Sequence, residues 1–458
     1  MRRFLTQLLD EYGLPLERFA GIGTVESEGE TTPVDWASAQ YGDGQVLLAC
    51  AGKSIQFDVF SSAPHSFNGQ NSDGVMFHSD RLMVDLPILK DLPSDRTGWW
   101  AVYRLGMLEA DFAPGTSSMF IRYLLTNFEA DVGCKGKACP LVLPGVDGSI
   151  RLVPVERASS VIDQLRALRI AKPTTWLEMP LQPAGNSGTR QIADDVCYLL
   201  SIARGTKVSW IAEEEVGREG TRTRLVCANR ITKPFAPHAP IDPRLVGGTS
   251  DFLEACYPTF VEKRDHYKLD RGTIDSVLDA KGETDFLETR GAKLAVALET
   301  LKNNVLAAGD SNKEYLASPH VFDQCVDRIA GPLVEALVDG GVGRRMAKAI
   351  VARPRLRGLN RRSFSDLLGG ICKQIDLRLD AGDLKLFTYC RNSLVHRGGF
   401  YCSTALEEEH ARVTPKPTKF AEYLFMISVV DAFLLRLVGY RGPYLVHAEG
   451  SKFEIRDL

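Results

Sequence analysis

The spacing of apolar residues changes partway along the chain, and this change limits the folds that the sequence can adopt. In the first half, runs such as QVLLACAG and KVSWIAEEEV are rich in apolar and β-branched residues, and glycine-containing turns separate them. This pattern is typical of strands. In the second half, apolar residues recur at helical intervals, as Leu294, Leu298 and Leu301 do. We therefore predict an α+β protein in which the strands precede the helices.

The segment ITKPFAPHAPIDPRLVGGTS separates the two patterns. It contains four prolines and two glycines, so it cannot hold a regular sheet. With 458 residues, the chain also exceeds the usual size of one hydrophobic core. We predict a β-rich domain, a sandwich or a barrel, at residues 1–245 and a linker at 246–269. An all-α bundle follows at 270–446, and residues 447–458 form a C-terminal tail.

Composition argues against several classes of protein. The net charge is −3, so binding of nucleic acid would depend on a local patch. The N-terminal residues MRRFLTQLLDEYG lack the apolar run of a secretory signal. The most apolar stretch, 420–438, carries three charged residues, which favours a buried helix over a membrane span. Ten scattered cysteines suggest reduced thiols. We therefore expect a cytoplasmic protein without membrane contact.

Motifs for metals and cofactors are missing. Cys134 and Cys139 in CKGKAC are close enough to form half of a zinc site, but no second pair matches them. The sequence also has no phosphate-binding loop of the GxxxxGK[ST] type. We therefore predict neither a metal centre nor an organic cofactor.

The stretch YCRNSLVHRGG, residues 389–399, holds the polar residues that most suggest a site. A helical wheel places Arg391 inside an apolar arc, and a buried guanidinium needs a partner. Two interpretations stay open. Arg391 forms a salt bridge within the chain, with Asp431 as a candidate partner, or it lines a cleft that faces a second subunit and binds a phosphate there.

Asn392 and His396 are four residues apart and lie together on the edge of this arc. The asparagine can fix one imidazole nitrogen and leave the other free for proton transfer. This set suits attack by the 2′-hydroxyl of RNA on its own phosphate. His396 would act as general base or acid, and Arg391 would stabilise the phosphorane. The products would be a 2′,3′-cyclic phosphate and a 5′-hydroxyl, formed without a metal, and DNA would resist cleavage.

On a late helix of a bundle, RNSLVH resembles the R-x4-6-H motif of HEPN domains, in particular those of the Apea-like HEPN family of bacterial proteins. FLETRGAKLAVALETL resembles their first long helix, and LLRLVGYRGPYL resembles their ending. VCYLLSIARGTKVSWIAEE is similar to a segment upstream of such domains. This resemblance covers about residues 270–446. It implies a ribonuclease with Arg391, Asn392 and His396 as its motif residues, and it makes Glu288 a candidate acidic residue.

The same resemblance implies a homodimer, because two HEPN protomers pair to bring their motifs together. It also implies a toxin-type effector of abortive infection, an anti-phage defence, in which the β-rich domain senses a phage-derived trigger or restrains the nuclease. Many HEPN domains are inactive. The alternative is therefore a catalytically silent module that binds RNA, a nucleotide or a protein partner.

A basic run, GRRMAKAIVARPRLRGLNRR, precedes the helix before the motif. It contains eight lysines or arginines and no acidic residue. Such a run can follow an RNA phosphate backbone, although a solvated connector is an equally open interpretation. The candidate RNA-phosphate contacts are Arg344, Arg345, Arg361, Arg362 and, beside the motif, Arg397.

Overall fold

The computed structural model describes most of the chain in two compact units. The described residues are 1–53, 65–86, 98–112, 118–128, 138–156, 160–161, 164, 171–183, 185–217, 222–228, 238–242, 248–269, 271–282, 285–309, 314–404, 413–450 and 452–458. The β-rich unit comprises Met1–Val261, Lys281–Glu283 and Pro443–Leu445, and the helical unit comprises Glu262–Ala280, Thr284–Gly442 and Val446–Leu458. The prediction of an α+β chain with strands first and helices second is confirmed.

The described residues contain fifteen strands. Their bounds are β1 Glu17–Ser27, β2 Glu30–Gln40, β3 Val46–Gly52, β4 His65–Asn71, β5 Met76–Leu86, β6 Trp99–Leu105, β7 Met107–Asp111, β8 Ser118–Thr126, β9 Cys139–Leu141, β10 Ile150–Pro154, β11 Pro173–Pro180, β12 Ser209–Gly217, β13 Arg222–Ala228, β14 Pro443–Ala448 and β15 Lys452–Asp457.

Six strands of the β-rich unit close into an antiparallel barrel. Their order is β1-β2-β3-β6-β5-β4, and the ring closes because β4 pairs with both β1 and β5. Inside, Trp36 packs against Phe67 and Phe77, with ring centroids 5.2 and 5.0 Å away. All three side chains are buried, so large side chains fill the barrel as in other small barrels. From β5 the sheet continues through β7, β13, β12, β8, β11 and β10 to β9.

Twelve helices are described. Their bounds are α1 Arg2–Asp10, α2 Gly185–Arg204, α3 Thr249–Lys263, α4 Arg271–Lys281, α5 Leu287–Ala308, α6 Pro319–Asp339, α7 Arg344–Ile350, α8 Arg353–Gly358, α9 Phe364–Gln374, α10 Ala381–Arg397, α11 Tyr401–Thr404 and α12 Lys419–Leu437.

Residues 246–269, expected to form a linker, contain helix α3. Phe252, Leu253 and Phe260 of this helix are buried, and the β-rich unit extends to Val261 rather than ending at 245. The prolines upstream favoured a linker, and Pro258 lies inside the helix itself. Burial of a helically spaced apolar face outweighs the cost of that proline.

Residues 447–458, expected to form a tail, include strand β15, which pairs with β14. The alternation of Phe453 and Ile455 with charged residues is typical of a strand and accounts for this difference from the expected tail. Helix α12 agrees with the expectation of a buried helix, since all its side chains from Glu422 to Leu437 are buried. Within the described residues, no helix is both long and apolar enough to cross a membrane.

Helix α9 begins with an N-cap at Ser363, and the sequence pattern of Ser363 followed three residues later by Asp366 resembles a capping box. The Ser363 hydroxyl accepts a hydrogen bond from the backbone N–H of Asp366 (3.1 Å), which satisfies a donor at the helix end. Replacement of Ser363 by alanine should therefore lower the free energy of unfolding by about 1 kcal/mol. Urea denaturation of Ser363→Ala measures this loss. Ser365→Ala is the control, because Ser365 lies within the helix and is not the N-cap residue. Equal losses in both variants would contradict the assignment of the cap.

Candidate functional site

Helix α10 carries the RNSLVH motif and packs within its own helical unit. Leu386, Phe387 and Leu394 on its apolar arc are buried. The helix ends at Gly398, whose φ of 72° is left-handed and whose N–H donates to the Leu394 carbonyl. Most of the apolar arc is therefore covered by the same chain, whereas Val395 on the arc is exposed, and the interpretation that the arc faces a second subunit stays a prediction.

Arg391 forms an ion pair within the chain. Its Nη2 donates to Oε2 of Glu299 on α5 at 2.6 Å, and its guanidinium lies 5.5 Å from the ring centroid of Phe364 on α9. The Arg391 side chain keeps 17 % of its surface exposed. An internal salt bridge was one of the two open interpretations, with Asp431 as the candidate partner, and the acidic partner in the structure is Glu299. The helical wheel showed that Arg391 lies on the buried side of its helix. It did not show which other helix packs against that side.

Asn392 holds the arginine rather than the histidine. Its Oδ1 accepts a hydrogen bond from Nη1 of Arg391 at 2.9 Å. His396 is exposed and makes no hydrogen bond to any described residue. The expected Asn392–His396 contact is therefore absent from the described part of the chain. The neighbouring cation is the stronger attraction for the amide oxygen.

The acidic residue that reaches the motif is Glu299, which the sequence reasoning missed. Glu288 was the candidate, but it pairs with Lys419 at 2.9 Å, and this hydrogen bond lowers the pKa of its carboxyl group. The two glutamates are eleven residues apart, about three helical turns, so they lie on one edge of α5. The spacing of eleven residues is the sequence signal that could have pointed from Glu288 to Glu299, because it places both on the same side of α5.

Lys302 is a second residue that the sequence reasoning missed. It lies one turn beyond Glu299, only 6 % of its surface is exposed, and its Nζ is 5.1 Å from the centroid of the Phe364 ring. Burial lowers the pKa of its ammonium group, and Arg391 lowers it further, whereas Glu299 opposes the shift. Arg391 and Lys302 thus approach the same aromatic ring, where each is attracted by the π-electrons.

Glu422 of α12 fixes the chain just beyond the motif. Its side chain is fully buried, and its two carboxyl oxygens accept hydrogen bonds from the backbone N–H groups of Tyr401 (2.8 Å) and Cys402 (2.7 Å). Tyr401 also stacks on Tyr389 of α10, with ring centroids 5.2 Å apart. These contacts fix the corner between α10 and α11, next to the last turn that carries His396.

The basic run is partly neutralised by acidic residues of the same chain. Arg344 pairs with Glu335 at 2.7 Å, and Arg361 lies 3.8 Å from Glu314. Arg362 donates to the Tyr315 carbonyl at 3.2 Å.

Two further candidates for RNA contact are exposed. Arg345 makes no hydrogen bond or ion pair to a described residue, and Arg397 is exposed at the end of α10. Glu314, the partner of Arg361, also acts electrostatically on Lys302, where it opposes the lowering of the pKa.

Metal ligands do not gather in the described part of the chain. No three His, Cys, Asp or Glu side chains there are arranged to hold an ion. Cys134 lies outside the described residues, and Cys139 is buried with its Sγ 3.0 Å from Oγ of Ser250.

The two glutamates of α5 offer a matched test of the ion pair at Arg391. Glu299→Gln should lower the free energy of unfolding by about 1–2 kcal/mol, because it leaves a partly buried guanidinium without its counter-ion. Glu288→Gln should change it by less than about 0.5 kcal/mol, since its pair with Lys419 is exposed. Urea denaturation of both variants is the measurement. A similar change in the free energy of unfolding in both variants would mean that the Arg391 pair stabilises the fold no more than an ordinary surface pair does.

Comparison of the chain with protein-family models, with curated protein sequences and with solved structures finds no match. The resemblance to the Apea-like HEPN family therefore stays a prediction that depends on the motifs. The arrangement of Arg391, Lys302, Glu299 and His396 is the basis for a proposed function.

Proposed function

We propose that the helical unit is a metal-independent HEPN endoribonuclease, which cleaves RNA through its own 2′-hydroxyl to leave 2′,3′-cyclic phosphate ends. One observation carries the proposal. Arg391 and Lys302 bring two positive charges to a half-buried cluster, in which Glu299 pairs with Arg391 and Lys302 forms no ion pair with a described residue. Such a surplus of positive charge suits a phosphate, and the planar guanidinium suits two of its oxygens.

His396 supplies the group for proton transfer. It lies in the last turn of α10, is exposed, and makes no hydrogen bond to a described residue. An exposed imidazole leaves its ring nitrogens open to a ligand, and histidine is the side chain that most often transfers protons in catalysis. It can therefore take the proton of the 2′-hydroxyl or give one to the leaving 5′-oxygen.

The separation of the two motif residues supports a site shared between two copies. Five residues apart, Arg391 and His396 are about 7.5 Å apart along the helix axis and about 140° around it. Arg391 turns toward α5, whereas His396 is exposed. One chain therefore does not direct both groups at one phosphate, and we propose that a second copy supplies one of them in a homodimer of the helical unit.

The biological role follows the family resemblance. We propose a cytoplasmic, toxin-type effector of abortive infection against phage, with the β-rich unit as the sensor of a phage-derived trigger or as a restraint on the nuclease. The basic candidates that remain exposed, Arg345 and Arg397, would contact RNA phosphates. Arg344 and Arg361 would do so only after exchanging their acidic partners for phosphates.

A second candidate function is a catalytically silent module that binds RNA, a nucleotide or a protein. The ion pair between Arg391 and Glu299 favours it, because a guanidinium already paired inside the chain has less charge to offer a transition state. The two functions differ in whether bound RNA is cut.

Incubation of the full chain with RNA in excess EDTA tests the proposal. The substrates are bulk tRNA and a single-stranded oligoribonucleotide, with DNA of the same sequence as control. We expect cleavage of RNA in EDTA and none of DNA, because only RNA carries the attacking hydroxyl. Cleavage that requires a divalent metal, or that extends to DNA, would contradict the mechanism. Binding of RNA without any cleavage would favour the silent module.

A further inference from the structure

We infer that Lys302 is a phosphate-binding residue and that, with Arg391, it forms a two-cation site for one phosphate group against the ring of Phe364. No motif suggested this lysine, and it lies on α5, 89 residues before Arg391. The inference depends on the proposed function for the identity of the ligand, an RNA phosphodiester. The anion site itself depends only on the local geometry.

The first argument is the burial of a lysine that forms no ion pair with a described residue. Lys302 has only 6 % of its surface exposed, and it makes no ion pair or hydrogen bond to any described residue. A buried ammonium group is costly unless it is paired, hydrogen-bonded or neutralised. Lys293 and Lys419 do form described ion pairs, and their side chains are much more exposed than that of Lys302. A ligand anion would remove this cost.

The second argument is local charge. Lys302 and Arg391 carry two positive charges, and Glu299 carries one negative charge that is already hydrogen-bonded to Arg391. Glu314 also acts electrostatically on Lys302 and lies 3.8 Å from Arg361, so three cations accompany two carboxylates and the sum is one positive charge. Burial lowers the pKa of Lys302, with Arg391 as an added cause. Binding of a phosphate would oppose this shift, because an anion favours the charged form of the lysine.

The third argument is the geometry around one aromatic ring. The centroid of the Phe364 ring is 5.1 Å from Nζ of Lys302 and 5.5 Å from Cζ of Arg391. Phe364 stacks on Phe387 of α10, with the ring centroids 6.3 Å apart and the planes 15° apart. The ring is therefore held by a buried neighbour and keeps the two cations close together. Nη1 and Nη2 of Arg391 bind Asn392 and Glu299, whereas its Nε is buried without a partner among the described residues.

The test compares Lys302→Met, which keeps the length of the side chain, with Lys302→Arg, which keeps its charge. Lys452→Met is the matched control, because Lys452 is an exposed lysine on β15. One probe is inorganic phosphate, measured by the rise in melting temperature against chloride at equal ionic strength. The other is a fluorescein-labelled single-stranded RNA with 2′-O-methyl groups throughout, measured by anisotropy. This RNA cannot be cleaved, since the attacking hydroxyl is blocked.

We expect Lys302→Met to lose the stabilisation by phosphate and to bind the RNA about tenfold more weakly. The slope of log affinity against log salt should fall by about 0.7, which corresponds to one phosphate contact on a single strand. Lys302→Arg keeps the charge and should retain more of the stabilisation by phosphate than Lys302→Met does, and Lys452→Met should behave like the unchanged protein. The melting temperature of each variant without phosphate separates a loss of binding from a loss of fold.

Each of the other outcomes is decisive. If Lys302→Met binds phosphate and RNA as the unchanged protein does, Lys302 is not a phosphate ligand, whatever becomes of the nuclease. If phosphate binds through Lys302 but RNA is neither bound nor cut, the anion site stands and the proposed nuclease fails. If the unchanged protein binds neither probe, both proposals fail.

Discussion

Replacement of His396 by alanine should lower the rate of RNA cleavage about 10²- to 10⁴-fold, because the proton transfer would lose its only positioned side chain in the motif. Binding of RNA should change little, since the proposed role of His396 is proton transfer and the proposed phosphate ligands are other residues. The measurement is the initial rate of cleavage of a single-stranded oligoribonucleotide in EDTA. His320→Ala is the control, because His320 is an exposed histidine on α6.

The same assay separates the roles of the two motif residues. Arg391→Ala should lower the rate by about 10²- to 10³-fold, as removal of one charge-stabilising donor does in other enzymes. Unlike His396→Ala, it should also weaken binding of the uncleavable RNA. If His396→Ala and His320→Ala retained the same rate, the assignment of His396 as the proton-transfer group would be wrong.

Replacement of Glu422 by alanine should lower the free energy of unfolding by about 3 kcal/mol. The fully buried carboxyl group accepts hydrogen bonds from the backbone N–H groups of Tyr401 and Cys402, and alanine would leave both donors unpaired. Glu422→Gln keeps one acceptor oxygen and should lose about half as much. Urea denaturation, followed by a signal from the helical unit, provides the values.

Glu262→Gln is the matched control for these variants, because Glu262 is exposed on α3. Hydrogen exchange adds a local measurement. In Glu422→Gln the amides of Tyr401 and Cys402 should exchange faster than in the unchanged protein, whereas those of α5 should not. Unchanged protection at both amides would show that Glu422 does not fix the corner after the motif.

The sequence predicted the helices and strands of the protein better than it predicted the contacts between them. The switch from strand-like to helical spacing located the β-rich and helical parts, and the Ser363 cap and the buried helix α12 followed from local rules. Helix α3 was missed because prolines and glycines precede it and Pro258 lies within it, so burial of Phe252 and Phe260 outweighed the local signals.

The candidate site was predicted in part. The helical wheel showed correctly that Arg391 needs a partner within the chain, and the motif placed the candidate catalytic residues on α10. Wheel geometry does not show which helix faces a given residue, so Asp431 was named in place of Glu299. Lys302 was missed for a similar reason, because its place beside Phe364 depends on how α5 and α9 pack. Such contacts join residues that are far apart in sequence and leave no local pattern.

The chemical identity of the ends that the protein leaves on RNA tests the central claim most directly. Oligoribonucleotides cut in EDTA should carry 2′,3′-cyclic phosphate and 5′-hydroxyl ends, and a single 2′-deoxy substitution at the cleaved position should abolish the cut there. Mass spectrometry of the products distinguishes these ends from others. Products with a 3′-hydroxyl and a 5′-phosphate, or a cut that survives the 2′-deoxy substitution, would contradict attack by the 2′-hydroxyl at the Arg391–His396 site.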